Sequence, residues 1–318
     1  MRYGVGIFTL FLLCVIGSTS QIAKAAHLNV NCDKKESIHR ALTFLSEINP
    51  QGPNTITVSG SCKENLVIQS INRLTLIAEK GASVTDVSDG NAPVIDIEDS
   101  QSVTLQGFIF NGGSSGVACG SASVCYLTSN TVQGAGEGVT VYSGSHAILA
   151  SNTIQNSFGR GSTIKQGSQM LSSNDIFQGN GGQGVTTIAG AYFEAANSSF
   201  LNNHVGIEVA TNSTLRLISC TVSGNTADGI LILASATAQF NDYNGPTTIS
   251  GNGGDGVYLE DLSFAYFDLT DIVTGNSSGL DIHCSPQFPV THGALALTGG
   301  TVTNCLEPVG PAQAKVTK

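Results

Sequence analysis

The chain has 318 residues, of which 38 are glycine and only 11% are charged, and it contains no tryptophan. This composition is typical of strands and turns and argues against a helical protein. The formal charge of −10 leaves no basic patch that would follow phosphates, so nucleic acid is excluded as an expected partner.

Residues 1–25 have the pattern of a secretory signal peptide. Arg2 supplies a positive charge, residues 6–17 form an apolar run, and Ala-Lys-Ala at 23–25 offers a cleavage site. The run is short for a membrane span, although an uncleaved anchor stays open as the alternative. Cleavage would leave 11 basic and 23 acidic residues, a formal charge of −12, in a secreted or extracytoplasmic protein of the periplasm or cell surface with no later membrane span.

Cysteine usage agrees with export. Seven cysteines lie outside the signal, and proximity in sequence and coil suggests three disulfides with Cys220 left over. Several reduced, buried thiols are the alternative, and no zinc-like spacing indicates a metal site. The candidate pairs are Cys32–Cys62, Cys119–Cys125 and Cys284–Cys305.

An N-terminal cap is expected over residues 26–54, with an amphipathic helix at about 35–47. Asp33 is a candidate helix N-cap, and Asn49 followed by Pro50 ends the helix. Such a helix would cover the apolar end of a stacked structure and oppose fibre formation at that end. The apolar residues at helical spacing are Ile38, Ala41, Leu42, Leu45 and Ile48.

A glycine followed by a small or aliphatic residue recurs at intervals of 22 or 23 residues, with one interval of 27. A fixed period of this size indicates one supersecondary unit stacked many times. The strand pattern extends the repeat over residues 55–305 as nine to ten coils and leaves 306–318 as a disordered tail. The recurring glycines are Gly116, Gly138, Gly161, Gly184, Gly206, Gly229, Gly256 and Gly279.

Asparagines recur in two columns at fixed distances before these glycines. Stacked amides can form a hydrogen-bonded ladder because each has a donor and an acceptor, and binding of a glycan or ion by the amides is the alternative. The first column is predicted to hold Asn130, Asn152, Asn174, Asn197 and then Cys220. The second column is predicted to hold Asn180, Asn203, Asn225, Asn252 and Asn276.

The phrases at residues 129–132 (Ser-Asn-Thr-Val), 151–154 (Ser-Asn-Thr-Ile) and 173–176 (Ser-Asn-Asp-Ile) resemble repeats of right-handed parallel β-helices of the pectin-lyase-like superfamily. The resemblance covers most of the mature chain and implies an all-β solenoid with three-faced coils. It also implies that the outward face of one sheet is the substrate cleft in enzyme members, although many members have no known activity.

The catalytic motifs of such enzymes do not assemble in this sequence. No Asp-Asp pair occurs, Thr291 precedes His292 where a glycine would be needed, and Arg160 and Lys165 are too far apart for an Arg-x-Lys. Activity as a polysaccharide lyase or glycoside hydrolase is therefore left undecided.

Pectate-lyase-like members need an acidic calcium cluster. Asp228 and Asp255 hold the same place in adjacent coils, about 5 Å apart, where a calcium ion would relieve their repulsion. Two solvated turn carboxylates are the simpler interpretation, so no cofactor is expected.

The outward strand face holds the candidate ligand-binding residues Glu208, Tyr258, Glu260, Asp281 and His283. Counting from each glycine places Tyr258 beside Asp281 and Glu260 beside His283 in neighbouring coils. Carboxylates near a tyrosine suit sugar binding or glycoside hydrolysis, and an ordinary charged sheet face is the alternative. The expected function is binding or acting on extracellular polysaccharide, and the alternative is a non-catalytic structural or adhesive solenoid at the cell surface.

Overall fold

The computed structural model describes residues 25–241, 245–277, 280–285, 290–297 and 300–305. Within them the chain winds as a right-handed parallel β-helix of about ten turns, as the repeat predicted. The chain visits three sheets in turn, and each strand pairs in parallel with its counterpart one coil earlier. The expected signal segment, apart from Ala25, and the expected tail lie outside the described residues.

The first sheet contains twelve strands in the described part of the chain. They are Ala26–Asn31, Asn54–Ser59, Leu74–Ala78, Val103–Gln106, Val124–Thr128, His146–Ala150, Gln169–Ser173, Tyr192–Ala196, Thr214–Ile218, Thr237–Asn241, Phe264–Phe267 and Val290–His292.

The second sheet contains ten short strands among the described residues, and the middle residue of each strand points into the core. Aromatic residues stack on their own kind here, as Phe177 does on Phe200 with ring centroids 5.1 Å apart. The strands are Ser61–Lys63, Ser83–Thr85, Ile109–Asn111, Thr131–Gln133, Thr153–Gln155, Ile176–Gln178, Ser199–Leu201, Thr221–Ser223, Thr248–Ser250 and Ile272–Thr274.

The third sheet also has ten strands in the described ranges, and its outer face contains the candidate site. Its strands follow the recurring glycines, so the predicted inward column of Val139, Ile207 and Ile230 is confirmed. The strands are Leu66–Gln69, Ile95–Glu98, Ser115–Gly120, Glu137–Val141, Ser162–Ile164, Gln183–Thr187, Val205–Val209, Ile230–Ile232, Val257–Leu259 and Ile282–Cys284.

A helix, α1 (Ile38–Ile48), covers the N-terminal end of the solenoid and buries Ile38, Ala41, Leu42 and Leu45 of the predicted apolar face, whereas Ile48 is exposed. Ser37 rather than Asp33 is its N-cap. The Glu64 carboxylate of the solenoid accepts hydrogen bonds from Ser37 Oγ at 2.8 Å and from the Ile38 amide at 2.8 Å, which ties the helix to the first coils. No helix among the described residues has the length and apolarity that a membrane crossing requires.

The N-terminal cap is joined to the solenoid more closely than the expected boundary at residue 55 suggests. The strand Ala26–Asn31 already pairs in parallel with Asn54–Ser59 and begins the first sheet. Two 3₁₀ helices, Cys32–Lys34 and Ala294–Ala296, lie near the two ends of the described chain.

All three predicted disulfides are confirmed, and Cys220 is the buried free thiol among the described residues. Two of the bridges lie near the ends of the solenoid, and the third staples one coil. The pairs are Cys32–Cys62, Cys119–Cys125 and Cys284–Cys305.

The second amide column forms the predicted ladder at the corner between the second and third sheets. Each Nδ2 donates to the Oδ1 of the next coil, for example Asn180 to Asn203 at 2.9 Å and Asn225 to Asn252 at 2.8 Å. The backbone amide of each asparagine donates to the same Oδ1, so every coil is tied twice to the next. The last donor, Asn276, gives both bonds to Asp281.

The prediction for the first asparagine column is wrong by one residue in two coils. Asn174 and Asn197 have φ near +56° and +51° and form the left-handed turn residue that precedes the ladder. The residues that lie in the ladder there are Asp175 and Ser198. Asparagine or serine can occupy either the turn position or the adjacent ladder position, because both positions accept short polar side chains.

The buried Asp175 makes the first ladder sensitive to pH. Burial raises the pKa of this carboxyl, against the opposing hydrogen bonds from Ser172, Asn152 and Ser173. Because the folded-state pKa exceeds the unfolded value of about 3.9, ionisation disfavours the fold. The destabilisation begins near the unfolded pKa and is complete once the pH has risen past the folded-state pKa.

We therefore expect the wild type to lose free energy of unfolding relative to Asp175→Asn as the pH is raised from about 3 to 7. Denaturant unfolding followed by circular dichroism at each pH measures this difference. The exposed Asp99→Asn is the control for the loss of one surface carboxylate. A pH-independent difference for Asp175→Asn would contradict the account.

Candidate carbohydrate-binding face

Two columns of outward side chains run along the third sheet, one residue to either side of a buried column. The first outward column holds Val67, Asp96, Ala118, Thr140, Thr163, Thr186, Glu208, Leu231, Tyr258 and His283. The second holds Gln69, Glu98, Gly120, Tyr142, Lys165, Ile188, Ala210, Leu233, Glu260 and Ser285.

The predicted pairing at the C-terminal end of this face is wrong by two residues. Tyr258 lies opposite His283 and not opposite Asp281, because Val257 pairs with Ile282. The 23-residue interval makes Gly279 the equivalent of Gly256 in the sequence, and Gly279 lies outside the described residues. By the same shift, Ile282 rather than Leu280 continues the inward column.

Asp281 does not face solvent with the other predicted site residues. It is 5% exposed, and its Oδ1 accepts from both the backbone and the side-chain nitrogen of Asn276. Its Oδ2 accepts from the amide of Val302 at 3.0 Å. Both oxygens are therefore engaged inside the protein, where the carboxylate ends the amide ladder.

Tyr258 and His283 do come together on the outer face. Their rings meet edge to face with centroids 5.1 Å apart. His283 Nδ1 lies 2.8 Å from Oδ2 of the buried Asp255, a contact that orients the ring. An oriented imidazole of this kind is suited to general acid–base chemistry.

The other two predicted carboxylates lie apart from this pair. Glu260 lies opposite Ser285, and its Oε2 accepts from the amide of Ala234 at 3.0 Å. Glu208 lies two coils before Tyr258 and accepts a hydrogen bond from Gln183. The expected patch is therefore a Tyr258–His283 pair with Glu260 nearby and Glu208 in a different part of the face.

The expected calcium position is partly occupied by protein contacts. Asp228 Oδ1 accepts from the amide of Asp255 at 2.6 Å, and Asp255 Oδ2 contacts His283. Cation binding by Asp228 and Asp255 stays a prediction.

A second cluster, which sequence reasoning missed, lies in the N-terminal half of the face. The Tyr142 hydroxyl donates to Glu98 Oε1 at 3.2 Å, two coils away, and Lys165 Nζ lies 5.9 Å from the centre of the Tyr142 ring. The ring can lie along the sheet because the intervening position is Gly120, where a Cβ would overlap it. That glycine in an outward column was the sequence signal for the cluster.

Burial and negative charge set the protonation of this cluster. Burial raises the pKa of Tyr142 to about 12, and the charges of Asp96 and Glu98 add to the shift. Burial, followed by the charge of Glu98, also raises the pKa of Asp96. Asp96 Oδ1 is buried without a hydrogen-bond partner in the described residues. Such a group is the kind that a ligand hydroxyl or a water satisfies.

The opposite side of the face is formed by an ion pair at the corner with the second sheet. Arg160 Nη1 lies 3.2 Å from Glu137 Oε1, and Glu137 Oε2 accepts from Thr140 Oγ1 at 3.1 Å. Thr163 and Thr186 continue the floor, and their buried hydroxyls have no partner among the described residues.

We call this strip of the outer face the trough: the nearly buried Thr140, Thr163 and Thr186 run along its middle, with polar side chains along both edges. Glu98, Tyr142 and Lys165 follow one edge, and Glu137 and Arg160 follow the other. From the Ile95–Glu98 strand to the Val205–Val209 strand the face spans six strands, or about 24 Å at about 4.8 Å per coil. A straight polar trough of this length suits an extended, hydroxylated polymer.

Comparison with known proteins agrees with the fold. Residues 115–246 match the family model described as "Right handed beta helix region". No curated protein sequence matches the chain.

Solved structures resemble the chain over most of its length. The A-module of mannuronan C-5 epimerase AlgE6 from Azotobacter vinelandii is 12% identical, with a TM-score of 0.51 over 87% of this chain and 95% of the module. Pectate lyase Pel9A is 12% identical, with a TM-score of 0.54 over 91% of this chain and 80% of the lyase. The enzymatically active domain of bacteriophage CBA120 tailspike protein 2 is 11% identical, with a TM-score of 0.58 over 74% of this chain and 42% of that domain. The structural similarity shows a shared β-helix fold, and identities this low show nothing beyond the fold.

Gly120→Ala is expected to displace Tyr142 without unfolding the coil, because the overlapping atoms belong to a side chain. The pKa of Tyr142 should then fall from about 12 toward the ordinary tyrosine value of about 10. Ultraviolet difference titration measures the shift, and a Tyr142→Phe variant identifies the phenol. Tyr192, whose pKa burial also raises to about 12, is the internal control on the first sheet. An unchanged titration would show that Tyr142 does not lie across position 120.

Proposed function

We propose that this protein binds a polysaccharide along the trough on the outer face of the third sheet. The observation that carries the proposal is Tyr142, which lies over Gly120 and between the Glu98 carboxylate and the Lys165 ammonium. An aromatic ring with an adjacent acceptor and donor can contact both the apolar face and the hydroxyls of a sugar.

The orphaned polar groups of the trough support the same function. Asp96 Oδ1 and Arg160 Nε are buried without partners in the described part of the chain. Buried groups of this kind are costly unless something satisfies them, and together with Thr163 and Thr186 these two lie on or beside the same face, which favours a ligand there.

The structural relatives support carbohydrate association in general. Two of them are named for action on mannuronan and pectate. The low identities mean that the polymer itself must be inferred from the residues of this face.

Secretion is part of the proposal. Three disulfides in one chain fit an oxidising compartment, and the signal-like segment at residues 1–25 fits export. An exported β-helix would meet polysaccharides in the periplasm, at the cell surface or outside the cell.

A second candidate function is chemical action on the bound polymer. It is favoured by His283, which Asp255 orients beside Tyr258 and which lies three coils beyond Glu208. This group could exchange a proton with a sugar that extends past the trough. A solenoid that only binds, as a structural or adhesive protein, would need no such group.

Binding is tested with the mature chain by affinity electrophoresis in gels that contain neutral or uronic-acid polysaccharides. We expect retardation by at least one polymer and a roughly tenfold weaker affinity for Glu98→Gln or Lys165→Ala, since each removes a charged hydrogen-bonding group. Gln239→Ala on the first sheet is the matched control and should bind normally. If no polymer retards the wild type, the proposed function is wrong.

Chemical action is tested on the polymer that binds, by assay of new reducing ends and unsaturated products. If the protein acts, His283→Asn should lower turnover by about a hundredfold while binding persists. Absence of turnover with intact binding would favour the adhesive alternative.

A further inference from the structure

A saddle-shaped cleft of about 410 Å³ lies beside the trough, at the corner where the second sheet passes into the third. On one side it is bounded by the loop that contains Asp86 and Asp89, and on the other side by Phe158. Gly134 and Gly136 form part of its floor. None of these residues belongs to the trough described above.

Phe158 is an aromatic ring that the fold does not need. It is 83% exposed, more than any other large apolar side chain in the described residues, and its backbone is held by a 2.8 Å hydrogen bond to Ala135. An aromatic ring left in solvent on a rigid turn offers a flat apolar surface at little entropic cost on binding.

The opposite wall is a loop of unusual length for this corner. Nine residues, 86–94, connect the Ser83–Thr85 strand to the third sheet, whereas three residues, 112–114, make the same connection one coil later. The loop therefore projects beyond the corners that follow it and creates one side of the saddle.

Asp86 holds this loop in place. Its Oδ1 accepts from Asn65 Nδ2 at 2.7 Å and from the Ser88 amide at 2.9 Å, and its Oδ2 accepts from the Gly90 amide at 2.7 Å. Desolvation works to raise the pKa of Asp86, but these hydrogen bonds outweigh it and hold the pKa well below the ordinary range. The wall is thus fixed before any ligand arrives.

The floor between the walls is low because it has no side chains. A Cβ on Gly134 would meet no atom within 4 Å, which means that a larger residue there would project into the cleft. The φ of Gly134 is +63°, and the equivalent corner of other coils holds Asn156 and Asn202 at φ near +54° and +55°. The corner therefore tolerates asparagine, and glycine at 134 keeps the saddle open.

We propose that this saddle binds one neutral sugar ring of the polysaccharide, with the apolar face of the ring on Phe158 and its hydroxyls toward Asp89 and the glycine backbone. The inference rests on the proposed function, since Gly136 leads directly into Glu137 and Phe158 lies two residues before Arg160 at the trough edge. A ring in the saddle would be a branch or a terminal residue of a chain that lies in the trough.

The charges around the saddle select a neutral sugar over a uronate. Its lining residues include two carboxylates and no cation, and the neighbouring Arg160 is paired with Glu137. A uronate carboxylate placed here would be repelled by Asp86 and Asp89.

The first test removes the Phe158 ring. Binding is measured by isothermal titration with the polymer that retards the wild type in the gel, and with neutral oligosaccharides cut from that polymer. Burial of one face of the sugar ring against Phe158 should raise the affinity by roughly fivefold to tenfold. Phe158→Ala should therefore weaken binding by that factor without a change in thermal stability. Leu269→Ala, an exposed apolar side chain at a different corner, is the control and should bind as the wild type does.

Filling the saddle is the second test. Gly134→Asn should weaken binding by a similar factor, whereas Gly251→Asn should not. Gly251 has φ of +67°, lies at the same corner five coils later and also has open space around its Cβ position, so the two variants differ only in location.

The outcomes separate the two proposals. Loss of affinity in Glu98→Gln with no loss in Phe158→Ala and Gly134→Asn would overturn the saddle and leave the trough. If a uronate oligosaccharide binds as tightly as a neutral one, or more tightly, and Phe158→Ala weakens that binding, the neutral-sugar assignment is wrong. A wild type that binds no polymer overturns both.

Discussion

The parallel register between successive coils is the constraint on which the rest of this structure depends. Each residue lies directly beside its counterpart one coil earlier, so a side chain that suits one coil must suit its neighbours. The core meets this demand by stacking like on like, as in the Phe177–Phe200 and Phe240–Phe267 pairs. The buried amide column meets it with hydrogen bonds that tie each coil to the next.

The trough is made by local departures from this repetition. Gly120 removes one side chain from an outward column, and Tyr142 fills the space and contacts a residue two coils away. The nine-residue loop at 86–94 and the solvent-exposed Phe158 break the regularity of the neighbouring corner. Unsatisfied groups such as Asp96 Oδ1 lie in the same region, which is where a protein tolerates features that do not stabilise its fold.

The 22–23-residue period predicted the solenoid and most of the inward columns, while the apolar residues at helical spacing predicted the N-terminal helix. Proximity of the cysteines in sequence and coil predicted the three disulfides. The period failed where spacing is ambiguous. Asn174 and Asn197 were assigned to the ladder although the turn places them one residue earlier, and a polar residue suits either position. The last full strand of the third sheet lies 25 residues after Val257 rather than 23, which moved His283 beside Tyr258 and Asp281 into the interior.

The Tyr142 cluster was not predicted for a different reason. Its contact with Glu98 skips a coil, so no count between neighbours brings the two residues together. A rule that examines adjacent coils finds stacked pairs, and it overlooks a long side chain that lies across a glycine. In repetitive folds, an isolated glycine at an outward strand position therefore deserves as much scrutiny as a polar cluster.

The carboxylate of Asp281 gives the amide column a direction and an end. Every amide in the column passes its hydrogens toward the C-terminus, so the aligned dipoles add, and their positive pole meets a negative charge. The carboxylate has no hydrogen to pass on, so the run of side-chain donors ends at Asp281, whose other oxygen accepts from the backbone amide of Val302. The amide column is thereby closed within the described chain at its C-terminal end, as α1 closes the core at the N-terminal end.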